Sequence, residues 1–307
     1  MGLRIQTNVQ SLNAQRQLGL STQRLNSQME KLSSGFRINK AADDAAGLAI
    51  SESLRSEVRG LHQARRNALD GVSLVQTAEG GLNEISNILT RLRELTVQAA
   101  SDTIGNTERG FLQKEFGALK FEIDRIANSS DFNGTKLLVG QTQLPEDLQY
   151  NSNPPPLEIQ VGPNWHPLTD GPENNNPTNI IRVDIQDMSA LTEGPNSLDI
   201  GKTDSPEGTR IDSKEMAQKS MERLDAAMER VNSYRADLGA VQNRLQSTIN
   251  NLGIRIENLD AAKSRIKDAD FAEETAGMTQ QQILQQAGVA VLSQSNQLPQ
   301  LALKLLS

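Results

Sequence analysis

Histidine is the side chain most often recruited for proton transfer near neutral pH, and this chain has two, His62 and His166. They lie far apart, and neither sits in a His-Glu-x-x-His arrangement, so no zinc hydrolase is signalled. Cysteine is absent, which removes disulfides, thiolate metal sites and thiol nucleophiles. Acidic pairs occur at Asp43-Asp44 and Asp268/Asp270. Both stand where a helix is expected to begin, and favourable charge at a helix N-terminus accounts for them better than general acid–base work. Gly80-Gly81 falls inside a helical pattern rather than after a strand, so no phosphate cradle is expected. Asn128-Ser-Ser130 and Asn133-Gly-Thr135 fit the N-glycosylation pattern, a weak signal by itself. The reading is of a chain with no catalytic constellation, no metal site and no cofactor.

The residues that carry information are apolar and repeat every seven positions. Leu54, Leu61, Ala68, Val75, Leu82 and Leu89 form one row, with Val58, Val72, Ile85 and Leu92 in a second. Leu224, Val231, Leu238, Leu245, Leu252, Leu259 and Ile266 form another, accompanied by Ala227, Tyr234 and Val241 and then, shifted by one, Ile249 and Ile256. Such a drift is expected where a 3.6-residue helix meets a 3.5-residue stripe. The elements that must hold these rows are long helices. One runs from about Asp43 to Ala100, roughly 80 Å at ~1.5 Å per residue. Another starts at Asp212, with Glu215 three residues later as a capping-box partner. Ile5, Val9 and Leu12, followed by Leu18, Leu25, Met29 and Leu32, predict an earlier helix that stops at Ser33-Ser34-Gly35. Gly105 and Gly110 frame a turn, after which Leu112, Phe116, Leu119, Ile123 and Ile126 share a face. Asn133-Gly134 is a hairpin signal, because both turn residues tolerate positive φ. The last segment carries Leu284, Val291, Leu298 and Leu305 in heptads on an otherwise Gln-, Asn- and Ser-rich helix. Its single stripe cannot be buried alone, so it is expected to be disordered until it finds a partner.

Ten of the eleven prolines lie between Pro145 and Pro206. The flanks are therefore almost free of the residue that breaks helices at a cost of about 3 kcal/mol. Within the centre, Leu157, Ile159 and Val161, and then Ile181, Val183 and Ile185, alternate as strands do. Aromatics make up 3% of the chain and mean hydropathy is −0.50, which disfavours one deep globular core. Net charge is −7, and the stretch 141–210 holds 11 Asp/Glu against three Lys/Arg, so the flanks are near neutral and no nucleic-acid footprint exists. No run approaches ~20 apolar residues, so no membrane span is expected, and the N-terminus lacks the apolar core of a cleaved signal peptide.

The fold class that follows is mainly α: long antiparallel helical hairpin or coiled-coil arms from both termini, a β-hairpin, and a small β-rich central outer domain.

The motifs resemble those of bacterial flagellin, the flagellar filament subunit. Lys31-Leu-Ser-Ser-Gly-Phe-Arg-Ile-Asn-Lys-Ala-Ala-Asp-Asp-Ala-Ala-Gly-Leu-Ala-Ile-Ser51 is similar to that family's N-terminal signature. Gln76-Thr-Ala-Glu-Gly-Gly-Leu-Asn-Glu-Ile85, Arg91-Leu-Arg-Glu-Leu95 and Phe132-Asn-Gly-Thr-Lys136 follow in its order. Leu238-Gly-Ala-Val-Gln-Asn-Arg-Leu245, Ser264-Arg-Ile-Lys-Asp-Ala-Asp270 and Gln282-Ile-Leu-Gln-Gln-Ala-Gly288 do the same near the other end. The resemblance covers about 1–140 and 210–307. The family resemblance of the motifs implies the divisions: 1–42 and 265–307 as terminal arms, 43–140 and 211–264 as two halves of a helical shell, and 141–210 as a variable surface domain.

It implies a subunit that self-polymerises through paired terminal helices into a filament used for swimming, exported to the extracellular flagellum without a cleaved signal peptide. Ile5, Val9, Leu12, Leu284, Val291, Leu298 and Leu305 would make the seams between arms and between subunits. Implied partners are further copies of the chain, an export chaperone at the C-terminal arm, filament-cap and hook-junction proteins, and the vertebrate flagellin-sensing Toll-like receptor. Arg91, Leu95 and Glu115 match that receptor's recognition surface. The competing readings are a hook–filament junction protein and a secreted coiled-coil adhesin acting through 141–210.

Overall fold

The computed structural model describes residues 8–140, 157–164, 179–190, 198–201 and 208–306, with side chains described as far as 297. Helices dominate: α1 (Val9–Ser34), α2 (Ala45–Ala100), α3 (Asn106–Ser129), α4 (Lys214–Lys267) and α5 (Phe271–Leu306). Short strands stand between them: β1 (Asp131–Phe132), β2 (Thr135–Lys136), β3 (Leu157–Gln160) and β4 (Ile180–Val183). Both strand pairs are antiparallel. No helix among the described residues is long and apolar enough to cross a membrane. Two compact units share the chain, Met1–Arg59 with Ile256–Ser307, and Gly60–Arg255.

In the first unit, here called the arm unit, α1 and α5 pack along each other in antiparallel sense. α1 ends where Gly35 takes φ 73° and returns its N–H to the Lys31 carbonyl at 2.8 Å. The segments leading out of α1 and into α5 are tied together. Arg37 N–H donates to Lys267 O at 2.7 Å, and Ala269 N–H to Gly35 O at 3.0 Å. The Lys267 ammonium lies 5.0 Å from the Phe36 ring centroid and 3.1 Å from Glu52. Asp44 accepts from Gly47 N–H at 2.9 Å and caps α2, while Asp43 accepts from Asn39 and Lys40 N–H at 3.0 Å. The Lys40 and then the Asn39 N–H groups hold the Asp43 carboxyl below its ordinary range. Asp270 caps α5 through Ala272 N–H at 2.8 Å. Asp44 and Asp270 therefore have the helix-start roles that their positions suggest, whereas Asp43 ties the turn that precedes α2.

The Gly60–Arg255 unit, the middle unit, has a closed apolar core. Leu61, Ala68, Val75, Leu82 and Leu89 of α2 are fully buried, as are Leu224, Val231 and Leu245 of α4 and Phe116 and Ile123 of α3. Arg109 closes the end of α2, donating from Nε to Ala99 O at 2.8 Å and from Nη2 to Ser101 O at 2.9 Å. Two boundaries differ from expectation. Gly110 lies inside α3, with Gly105 at its N-cap. α4 is capped by Ser213, whose Oγ accepts from Met216 N–H at 3.4 Å, because Asp212 is drawn to Arg210 at 2.6 Å.

The hairpin turn at Asn133-Gly134 has φ of 52° and 82°, as two positive-φ residues require. β3 pairs with β4 in the register Leu157↔Val183, Ile159↔Ile181. The described parts of the central stretch join the helical core: Val161, Ile181, Val183, Met188, Leu198 and Ile200 cluster with the α2, α3 and α4 rows. Two glycines in α2 permit this approach. A methyl at Gly71 would stand 2.5 Å from Ile159 Cδ1, and one at Gly81 would stand 2.7 Å from Leu138 Cδ1.

Candidate assembly surface on the terminal arms

The contact line between α1 and α5 repeats in heptads and takes only part of the apolar stripe, namely Leu18, Leu25 and Leu32 on α1. On α1 the less exposed positions are Ser11, Ala14, Leu18, Ser21, Leu25, Gln28 and Leu32. Facing them on α5 are Ser295, Leu292, Gly288, Gln285, Gln281, Met278 and Glu274. Polar and small residues hold much of this seam. Ser11 Oγ donates to Asn296 Oδ1 at 2.9 Å, Ser21 Oγ to Gln281 Oε1 at 3.0 Å, and Lys31 Nζ to Glu274 Oε1 at 3.0 Å. Gly277 leaves room for Gln28, whose amide would overlap any side chain there. A further bond follows from covalent chemistry. Pro299 lies in α5 and has no N–H for the Ser295 carbonyl one turn earlier. Asn8 Nδ2 donates to that carbonyl instead, at 2.8 Å, while Asn8 Oδ1 accepts from Ser11 N–H and caps α1.

α5 is a helix packed along α1, the other arm of the same chain, through these hydrogen bonds, small residues and leucines.

The rest of the apolar stripe points elsewhere. Val9 is 61% exposed, Leu12 53%, Leu284 49% and Val291 58%. Leu20, Met29, Ile283 and Val289 are also exposed on the same two helices. Leu298 and Leu305 lie in α5, but their side chains are outside the described residues, as is the whole of Ile5. The arm pair thus has a mixed seam, in which Leu18, Leu25, Leu32 and Leu292 stand beside polar groups, while a second set of aliphatic groups faces out. Exposed apolar surface of this extent marks an interaction face.

A second sequence-derived group lies on α2 and α3. Arg91 Nη2 stands 2.9 Å from Glu115 Oε1, and Arg91 Nη1 stands 3.0 Å from Glu94 Oε2. Glu115 first, and then Glu94, hold the guanidinium even more firmly protonated than usual. Both ends of this ion pair are open to solvent. Leu95 is not on that surface: at 1% exposure it belongs to the core row of α2. Its heptad phase, three residues after Leu92, directs it inward.

One buried group escaped the sequence reading. Lys120 sits on the core face of α3, fully buried. Its ammonium donates to Thr209 Oγ1 at 3.1 Å and Ile200 O at 3.3 Å, and lies 5.8 Å from the Phe116 centroid. Burial pushes it down to about 8, partly opposed by Asp124. Nothing in its spacing separates it from an exposed lysine whose stem covers the core edge. It pins the 198–201 and 208–211 segments to α3. Among the described residues no group of three or more His, Cys, Asp or Glu is arranged to hold a metal ion.

Comparison with known proteins identifies the family. The bacterial flagellin N-terminal helical region matches residues 5–143, and the flagellin C-terminal helical region matches residues 221–306. A flagellin of Bacillus subtilis is 43% identical over 99% of this chain and 100% of its own length. The flagellar filament 33 kDa core protein of Treponema phagedenis is 40% identical over 98% of this chain and 99% of its own. The structure of a putative flagellar hook-associated protein from Vibrio parahaemolyticus superposes with a TM-score of 0.56 over 74% of this chain and 100% of that one, at 14% identity, which is a likeness of fold alone.

Proposed function

The chain belongs to the bacterial flagellin family of flagellar filament subunits, and on that premise we propose that it self-polymerises through the outward faces of its paired terminal arms. The observation that carries this reading is the exposed apolar face of the arm pair. Its seam is closed within one chain by polar contacts and by Leu18, Leu25, Leu32 and Leu292, leaving Val9, Leu12, Leu284 and Val291 exposed for other copies. Ile5, Leu298 and Leu305 continue the same stripe in the sequence. Burying such surface contributes about 25 cal/mol per Å², repeated at every subunit. A head-to-tail contact that does not close on itself yields a helical filament.

The direct test adds full-length chain to sheared filament seeds and images the product by electron microscopy. Long filaments are expected. Deleting the last 20 or so residues should stop growth while the middle unit stays folded, and a truncated chain that still elongates would contradict the reading. Long filaments would also separate it from a hook–filament junction protein. A coiled-coil adhesin would instead show binding by the isolated 141–210 stretch.

An exposed apolar arm needs cover before assembly, so an export chaperone at the C-terminal arm belongs to the proposal. Filament-cap and hook-junction proteins would meet the chain at the two ends of the polymer. The proposed location is the extracellular filament. No catalytic role is proposed.

A second reading rests on the open Arg91–Glu115 pair. An exposed arginine already oriented by two carboxylates supplies a preformed polar contact of the kind found at binding hot spots. The vertebrate flagellin-sensing Toll-like receptor is the proposed partner of the free monomer, with Arg91 and Glu115 as contacts and Leu95 supporting them from the core. Arg91→Ala should reduce monomer signalling, and unchanged signalling would remove the reading.

A further inference from the structure

The α1–α5 seam holds two kinds of contact that respond differently to a slide of one helix along the other. Leu18, Leu25 and Leu32 stand seven residues apart, so moving α5 by seven residues, about 10 Å along the axis, puts a leucine where a leucine stood. Apolar burial is non-directional, and such a row meshes again after the slide. The polar contacts do not share that period. Ser11, Ser21 and Lys31 stand ten residues apart and reach Asn296, Gln281 and Glu274 at 2.9, 3.0 and 3.0 Å. Sliding α5 seven residues one way sets Ser21 against Gly288, and the other way sets Gln281 against Ala14. Neither glycine nor alanine offers a polar side chain. Ser21 and Gln281 are both 8% exposed, so a slid pair strands a polar group away from water.

We infer that these three polar pairs set the register of the two arms, and through it the apolar pattern that a second copy of the chain meets. Exchanging both members of a buried polar pair for apolar residues is nearly neutral for stability, whereas fixing register is the best-attested use of such groups in helix pairs. Register matters outside the seam as well. Leu284 and Val291 of α5 and Val9 and Leu12 of α1 are all exposed, and a seven-residue slide carries one set about 10 Å past the other. The register belongs to the single chain, and only its effect on growth rests on the self-polymerisation proposed above.

The test uses the full-length chain with Gln10→Cys and Gln280→Cys, both at exposed positions and without competing native thiols, each carrying a spin label. With the native seam, the monomer should give one distance between the labels. Ser21→Leu/Gln281→Leu should stay helical and melt no lower, yet show a second distance shifted by about 10 Å. Ser21→Gln/Gln281→Ser, which exchanges the two partners, should return to the single distance. Seeded growth should slow in the leucine variant and recover in the exchanged one. A single unshifted distance in the leucine variant overturns the register role. Loss of helix or a lower melting temperature in that variant also overturns it, because the pair would then supply stability instead. A shifted monomer that still grows at the wild-type rate overturns the reading by a second copy. A wild-type chain that never grows overturns self-polymerisation and leaves the monomer distances to decide the register.

Discussion

In the middle unit, heptad rows turn inward, so that Leu61, Ala68, Val75, Leu82 and Leu89 of α2 lose all contact with solvent. In α1 and α5 the same seven-residue spacing carries Leu18, Leu25 and Leu32 into the seam beside Ser11, Ser21, Gln281 and Ser295, and carries Leu284 and Val291 outward. The first arrangement is complete within one chain. The second pairs two helices, yet leaves much of its apolar surface uncovered. A repeat therefore tells that a helix will pack, but not against what.

The contrast can be broken most severely at the arm surface. Leu284→Asp with Val291→Asp should eliminate filament growth in electron micrographs, while the monomer's melting temperature stays nearly unchanged because both positions are about half exposed. In the middle unit the order of effects reverses. Leu89→Ala should cost about 2–5 kcal/mol in urea unfolding, since the removed side chain leaves a cavity in a closed core.

A third change concerns pH. The Lys120 ammonium is pushed down to about 8 from an ordinary 10.5. Between those values the unfolded chain holds the extra proton, so this group raises stability as pH increases, by at most about 3 kcal/mol. Burial pushes Tyr234 up to about 12 from 10.0, so the unfolded chain ionises first. Its contribution is complete below pH 10 and is lost as pH rises through 12. Urea midpoints at pH 8 and pH 10 should show wild type gaining relative to Lys120→Met. Parallel pH dependences would show that Lys120 titrates normally. The smallest effect is expected in the arm seam, where Ser21→Ala removes one buried hydrogen bond to Gln281. About 1 kcal/mol should be lost there, visible as faster hydrogen exchange in α1 and α5.

Legibility in the sequence followed the same division. Gly35, Asp44 and Asn133-Gly134 could be read because each has a local backbone task, namely ending a helix, starting one, or turning a hairpin. The inward rows of α2 and α4 were legible because their opposite faces are charged. The arm seam was legible only in Leu18, Leu25 and Leu32, since Ser21, Gln281 and Ser295 look like a solvated face until the second helix is present. Leu95 was misassigned to a surface by likeness of motif, although its position after Leu92 already pointed inward. The pairing of β3 with β4 was foreshadowed by alternation. Their entry into the helical core was not, because it depends on Gly71 meeting Ile159 across a long stretch of chain. Lys120 gave no signal, as a lysine on a helix edge and a lysine under a crossing segment have the same spacing.

The absence of native cysteine allows a direct measurement of the central claim. Val291→Cys, in the otherwise unaltered chain, would be labelled with a maleimide in monomers and in filaments. If the outward arm face is buried between copies, labelling should be fast in the monomer and at least about a hundredfold slower in the filament, as for a fully buried thiol. Equal rates in the two states would contradict the account, because the apolar face would then be exposed in the assembly it is held to build.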